Sequence, residues 1–537
     1  MFIIFIEKNN KRVSSVLVVF IVIFMLLSVR LFFLQVYPTE NVTSQYQNHQ
    51  SEKISDSRYM ILDTEGKDLM KYNKKYYLVI DKKPFSLNNY EETLENIMAL
   101  DFIMKGENPD FNYTDIMKSE GKVYYDVSEE TYNKINKLNN VKGIYTYAYD
   151  EVDRKKAWSV STFLSNIKKE DEKIGNSLEA DLNEFLKDND IPRKNFYLDS
   201  KAVYGKSETE VSKENKNIKL TINKDIEEKI RLVLAKDEFK NLSNIGVTIM
   251  ESDTGKIRAM VQKDESAANI NLAIEGSGYE PGSVFKLITL ATALDKGVIT
   301  LGDSFTCTGN ICKDQIHGRL TVEKALEKSC NDIFAKIGNE VGYNEVMDYA
   351  EKTGLFNRVL NIQGDGRNES MGIKPKESDG MNNISIGQCL TVSPIQILGA
   401  TNAIINDGKY VKPYIVEDIL DKDDNIIKSF NTEGNKIYSQ TTSKLLKQSM
   451  QKVVKEGTGI KANVAGVELG GKTGSATSGV GNTHGWFSGY FKLNGKMYTM
   501  TVFVPDIEGK GVNGEDLGGG NTAAPIFAEV IKYLISK

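Results

Sequence analysis

The stretch that most constrains this chain lies near its start. From Val13 to Val29 it reads Val-Ser-Ser-Val-Leu-Val-Val-Phe-Ile-Val-Ile-Phe-Met-Leu-Leu-Ser-Val, and beyond Arg30 the run Leu31 to Val36 extends it. A helix needs roughly 20 apolar residues to cross a bilayer, where every backbone polar group must be paired within the segment. Lys8, Lys11 and Arg12 precede the run, and Arg30 is placed to snorkel to the far interface. The positive-inside rule then puts residues 1–12 in the cytoplasm, 13–36 across the membrane and the remainder outside. No small-x-small cleavage site follows the apolar core, so the run reads as an uncleaved single-pass anchor rather than a signal peptide.

A chain of 537 residues exceeds one ordinary core, so more than one globular unit is expected. The formal charge is −5 with both signs interspersed, and no Lys/Arg stripe with interleaved aromatics appears, which argues against nucleic acid as a partner. The four cysteines, at 307, 312, 330 and 389, are too few for a disulfide scaffold and lack a paired Cys-x-x-Cys pattern. Only Cys307 and Cys312 are close enough in sequence for a local bridge, and the sequence leaves open whether they form one. Cys330 and Cys389 read as packing residues.

Residues 37–217 are polar and lysine-rich, mixing strand-like pieces such as Tyr76 to Ile80 with helix-like ones such as Ser177 to Lys187. They show no catalytic constellation and read as an elongated, membrane-proximal pedestal. The charged, apolar-poor segment Ser207 to Asn217 reads as a linker. A second domain, 218–537, opens with strand-like Ile218 to Ile222 and a hairpin, Ile245 to Met250 and Ile257 to Val261, about an Asp253-Thr254-Gly255-Lys256 turn. Ser283 to about Gly354 is mostly helical, strand-like runs return at Gly485 to Phe491 and Met497 to Val504, and Ala524 to Leu534 reads as a helix. Strands at both ends with helices between predict an α+β domain whose antiparallel sheet is completed by the C-terminal hairpin.

Three short patterns in that domain carry chemistry. In Tyr279-Glu280-Pro281-Gly282-Ser283-Val284-Phe285-Lys286, a Pro-Gly turn enters a helix, and the helical period brings Lys286 to the face of Ser283. A serine beside a base is a candidate nucleophile. Ser119/Lys122, Ser165/Lys168 and Ser449/Lys452 share the spacing, so context must decide. The only histidines are His49, His317 and His484, and no Gly-x-Ser-x-Gly elbow surrounds Ser283, so lysine is the better base. The second pattern is Ser329-Cys330-Asn331. The third is Lys472-Thr473-Gly474-Ser475, flanked by small residues as a strand edge approached by a substrate backbone requires. Lys352-Thr353-Gly354 repeats the third pattern where Gly354 reads as a helix terminator.

Ser-x-x-Lys, Ser-x-Asn and Lys-Thr-Gly in this order resemble the motif set of penicillin-binding proteins. Residues 218–537 resemble their transpeptidase domain, and with a single anchor the whole chain is similar to the class B, monofunctional members. The likeness extends to His317-Gly318-Arg319-Leu320-Thr321, Ser385-Ile386-Gly387-Gln388, Val392 to Gln396 and Gly485-Trp486-Phe487. It is thinner at Arg58 to Lys67, where Tyr59 stands for a family glycine.

The resemblance implies a peptidoglycan D,D-transpeptidase. Ser283 would attack the bond between the terminal D-alanines of a stem peptide, with Lys286 as base and Lys472 as the cation that depresses its pKa. Ser329 would relay a proton, Asn331 would bind the substrate and Lys286, and Lys472, Thr473, Gly474 and Ser475 would hold the substrate strand and carboxylate. The oxyanion hole would be the backbone N–H groups of Ser283 and Ser475. β-Lactams would acylate Ser283. The chemistry requires no metal or organic cofactor, and no metal-ligand spacing appears. The implied partners are stem peptides, a membrane-embedded glycan polymerase and other cell-wall synthesis proteins. The alternatives are a D,D-carboxypeptidase or β-lactamase-like hydrolase, and a non-catalytic scaffold or sensor.

Overall fold

The computed structural model describes residues 16–32, 49–89, 91–153, 178–264, 266, 270–274, 278–312, 315–361, 369–477, 481–510 and 517–536. Of the expected anchor, residues 13–15 and 33–36 lie outside these, and residues 16–32 are helical with exposed side chains. Among the described residues no helix is long and apolar enough to cross a membrane. The Ser165/Lys168 pair also lies outside them.

The chain forms two compact units that interleave in sequence. One draws on 1–55, 74–150 and 192–210, the other on 56–73, 151–191 and 211–537. A single cut at 217 therefore does not describe the division. Nor is Ser207 to Asn217 an unstructured linker: Tyr204–Glu210 is a strand paired with Arg193–Leu198, and Lys216–Leu220 is another strand. Its charged side chains stand on the exposed faces while the backbone is paired, which hides strand character from a composition argument.

In the first unit, strand Arg193–Leu198 lies between His49–Lys53 and Tyr204–Glu210. Leu78, Ile80, Phe85, Leu100, Phe111 and Val127 form its apolar core. Glu52 accepts hydrogen bonds from Lys122, Tyr124 and Tyr145.

In the second unit, the Arg58 to Lys67 stretch contributes strand Ile61–Leu62, parallel to Lys216–Leu220, and ends in a turn organised by buried Asp63, which accepts the N–H groups of Glu65 and Lys67. The elements around the site are, in chain order, β1 (Gly246–Glu251), β2 (Ile257–Gln262), α1 (Lys286–Asp295), β3 (Ser304–Cys307), β4 (Gly318–Thr321), α2 (Val322–Glu327), α3 (Asn331–Val341), α4 (Pro394–Ile405), α5 (Gln440–Glu456), β5 (Leu469–Thr477), β6 (Thr483–Leu493), β7 (Lys496–Ile507) and α6 (Ala523–Ile535). The predicted hairpin is β1/β2. The C-terminal strands join it as an antiparallel sheet of order β2-β1-β7-β6-β5, with Thr501 of β7 opposite Thr248 of β1.

Both faces of this sheet are covered. Trp486, Tyr490 and Phe503 pack with α1, α3 and α4, whereas the alternating Phe487, Phe491, Val502 and Val504 pack with α6. Two-sided burial explains why β6 and β7 are apolar runs rather than alternating strands. The expectation of helix from Ser283 to Gly354 misses the β3/β4 hairpin, whose four-residue strands are too short to show a period of two.

Candidate active site

Ser283 lies in a 3-10 turn, Gly282–Val284, that runs directly into α1. The turn is pressed against strand β5. Gly282 has φ of +52°, and a Cβ there would sit 2.3 Å from the carbonyl oxygen of Ser475. Reciprocally, a Cβ on Gly474 would sit 2.6 Å from the carbonyl oxygen of Pro281. Only glycine at both positions permits this backbone contact. Trp486 Nε1 donates to the Glu280 carbonyl at 3.0 Å, and Gly282 N–H donates to the Gly387 carbonyl at 3.1 Å. The Ser385–Gln388 stretch thus abuts the nucleophile loop, and Glu280 accepts the N–H of Cys389 at 2.8 Å.

The Ser-x-Asn segment forms the second wall. Ser329 has φ of +56°, a strained conformation for a residue with a Cβ, and it turns the chain from α2 into α3. The strain coincides with contacts to both lysines. Lys286 Nζ donates to the Ser329 carbonyl and to Asn331 Oδ1, each at 2.6 Å, and lies 3.2 Å from Ser329 Oγ. Lys472 Nζ donates to Ser329 Oγ and to the Thr473 carbonyl, each at 2.9 Å. Thr473 Oγ1 shares a hydrogen bond with Thr458 Oγ1 at 2.7 Å, and Ser475 Oγ accepts the N–H of Gly519 at 3.1 Å. The structure therefore brings Ser283, Lys286, Ser329, Asn331, Lys472, Thr473, Gly474 and Ser475 to one edge of the sheet.

Both lysines have 0 % exposure, yet Ser283 and Asn331 are half-buried and Ser475 is exposed. Burial lowers the pKa of Lys286 to about 7, against a smaller upward pull from the thiols of Cys330 and Cys312. Burial, and then the charge of Lys286, pushes Lys472 well below the ordinary lysine range. This environment does not favour the expected resident positive charge on Lys472, because two amines that share Ser329 Oγ in a dry wall repel each other when both are protonated.

Sequence spacing missed one cluster beside this wall. Cys307, Cys312, His317 and Cys330 converge, with their ligand atoms all within 4.8 Å of one another. Cys307 and Cys312 are not bridged, and Cys312 Sγ lies 3.6 Å from Cys330 Sγ. The available signal was the pair of five-residue steps, 307 to 312 to 317, ahead of Cys330. It was unreadable as a ligand set because a hairpin and α2 separate the members. Gly387 and Glu280, named above only as neighbours of the motifs, also shape the site.

The sheet between two helical layers, with this motif set on its edge, defines a serine-type transpeptidase domain. The chain belongs to the penicillin-binding protein transpeptidase family: residues 245–532 match the model for the penicillin binding protein transpeptidase domain. It is 29% identical over 288 residues to stage V sporulation protein D of Bacillus subtilis, a match covering 50% of this chain and 43% of that protein. The chain thus spans less than half the length of that relative. In fold it resembles a peptidoglycan synthetase from Bifidobacterium adolescentis, with TM-score 0.62, 20% identity and coverage of 91% of this chain and 96% of the other. It also resembles penicillin-binding protein 3 from Mycobacterium tuberculosis complexed with aztreonam, with TM-score 0.60, 18% identity and coverage of 90% and 96%.

Proposed function

We propose that this protein is a class B peptidoglycan D,D-transpeptidase that cross-links stem peptides through an acyl-enzyme on Ser283. The observation that carries this reading is the buried Lys286 amine, held by Ser329 and Asn331 one helical turn from Ser283. A neutral amine has two N–H bonds and one lone pair. Its N–H groups satisfy the Ser329 carbonyl and Asn331 Oδ1, and on this reading its lone pair accepts the Ser283 proton.

In the acylation step the Ser283 Oγ–C bond forms and the C–N bond between the terminal D-alanines breaks. The Ser283 proton passes to Lys286, and Ser329 relays a proton to the departing D-alanine amine. Asn331 also binds the donor backbone. The donor carboxylate sits against Lys472, Thr473 and Ser475, and a bound anion raises the Lys472 pKa, so that Lys472 takes up its charge on substrate binding. The N–H groups of Ser283 and Ser475 stabilise the oxyanion, and losing one such donor costs about 3 kcal/mol of transition-state stabilisation. An amine of a neighbouring stem peptide then displaces Ser283.

On this reading β-lactams, strained mimics of the donor, acylate the same serine. The apolar run at 13–36 anchors the chain with its N-terminus in the cytoplasm, the unit built on 74–150 and 192–210 serves as pedestal, the unit that holds the Ser283 site as catalytic domain, and a separate glycan polymerase in the membrane supplies the strands. Intact-mass detection of a penicilloyl adduct, with and without Ser283→Ala, tests the assignment. Labelling that persists in the variant would overturn it.

A further inference from the structure

We propose that Cys307, Cys312, His317 and Cys330 form a four-coordinate site for a zinc-class divalent cation, and that the bound ion fixes the Ser329–Asn331 wall of the cleft. The second half of this proposal rests on the transpeptidase reading; the first does not.

Two edges of the cluster already have the length such an ion requires. His317 Nδ1 lies 3.6 Å from Cys307 Sγ, and Cys312 Sγ lies 3.6 Å from Cys330 Sγ. A tetrahedral centre with metal–sulfur bonds of about 2.3 Å and metal–nitrogen bonds of about 2.0 Å has ligand–ligand edges of about 3.5–3.8 Å. Three thiols and one imidazole are a soft donor set of the kind that selects zinc over magnesium or calcium. The surroundings supply hydrogen bonds to the sulfurs. Asp332 N–H donates to Cys312 Sγ at 3.5 Å, and the backbone at Gly309 and His317 donates to Cys307. Such outer contacts orient ligands and stabilise thiolates.

Connectivity gives the ion its role. Cys307 ends β3, opposite Gly318 of β4, and His317 immediately precedes β4. Cys312 lies between the two strands. Cys330 is the middle residue of Ser329-Cys330-Asn331 and the N-cap of α3. An ion bound here joins the hairpin to the residue between the two groups that hold Lys286. Polar contacts follow the same seam, where Asp332 accepts the N–H of Thr308 at 2.5 Å and its hydroxyl at 3.0 Å. Fixing Cys330 restrains the left-handed turn at Ser329. Cys330 is thus a positioning residue that acts through its neighbours.

The full chain, reduced and reconstituted with zinc, is expected to hold one equivalent. With Co²⁺ it should give an intense sulfur-to-metal charge-transfer band and the visible bands of a tetrahedral centre, a readout that needs no variant. Cys312→Ser and His317→Ala should lose the ion, His317→Cys should retain it, and Cys389→Ser should be indifferent. Ser283→Ala should bind metal normally, so failure of the acyl-enzyme reading would be seen separately. Stripping the wild-type chain with a chelator should slow penicillin acylation by about tenfold or more, with recovery on adding zinc. A reduced chain that takes up no zinc or cobalt, or a Cys312–Cys330 disulfide in the isolated protein, would overturn the site. A stripped chain that acylates at the rate of the loaded one would overturn the positioning role.

Discussion

Two helices of this protein carry the same Ser-x-x-Lys spacing and put it to different uses. At the entry to α1, Ser283 is half-buried on a turn and Lys286 is fully buried, with its amine aimed at a second serine and an asparagine. Along α5, Ser449 is the buried member and donates to the Leu445 carbonyl, while Lys452 reaches outward to pair with Glu323 at 2.6 Å. Lys-Thr-Gly repeats the lesson. In β5 it lies on a sheet edge facing Ser329, whereas Thr353 bonds back to its own helix and Gly354, at φ of +87°, ends it. Spacing puts two side chains on one face, but desolvation and the neighbouring elements decide whether the amine is a base or a surface cation.

Exchanging the roles should break this comparison most sharply. Ser283→Ala is expected to abolish the penicilloyl adduct seen by mass spectrometry, whereas Ser449→Ala should leave it and shift stability by about 1 kcal/mol in denaturant melts. Next in size, Lys286→Ala should slow acylation by roughly 10²–10⁴-fold, the range for a lost general base, and Lys452→Ala should change it little. Equal losses in stopped-flow acylation would refute the distinction.

The pH dependence sharpens the same contrast. Lys286 acts as its free amine, and burial places its pKa at about 7. Acylation should therefore be level above that pH and fall about tenfold per unit below it. A profile still rising through pH 9 would mean that the wall leaves the amine at an ordinary lysine value. Smallest in its effect on acylation, Gly354→Ala should add about 1–3 kcal/mol of overpacking to the strain of its positive φ, because its Cβ would sit 2.2 Å from the Tyr410 hydroxyl, with acylation by the remaining folded protein unchanged. Gly474→Ala places a Cβ 2.6 Å from the Pro281 carbonyl oxygen and should reduce both stability and the acylation rate of the protein that remains folded, read by parallel melts and rates.

Much of the catalytic domain was legible because its signals are local. The β1/β2 hairpin announces itself by its Asp-Thr-Gly-Lys turn, α1 by its Pro-Gly entry and apolar run, and Lys472 to Ser475 by flanking small residues. What escaped had no local period or composition to betray it. Strands β3 and β4 are four residues each. Tyr204–Glu210 is charged yet paired, and Ile61–Leu62 is a two-residue strand whose partner lies more than 150 positions away. The cysteine cluster escaped for the same reason, since its members meet only after the hairpin folds onto the start of α3.

The sequence by itself determined the inventory: which side chains could serve as nucleophile, base and anion site, in what order, and with which helical or extended neighbours. Tertiary structure decided which copy of each motif is used. Only packing buries Lys286 and Lys472 against a shared serine, forces Ser329 into a left-handed turn, and sets three thiols and an imidazole behind it. The physical reason is that reactivity here depends on desolvation and on contacts between residues tens to hundreds of positions apart. Neither is a property of a short stretch of chain.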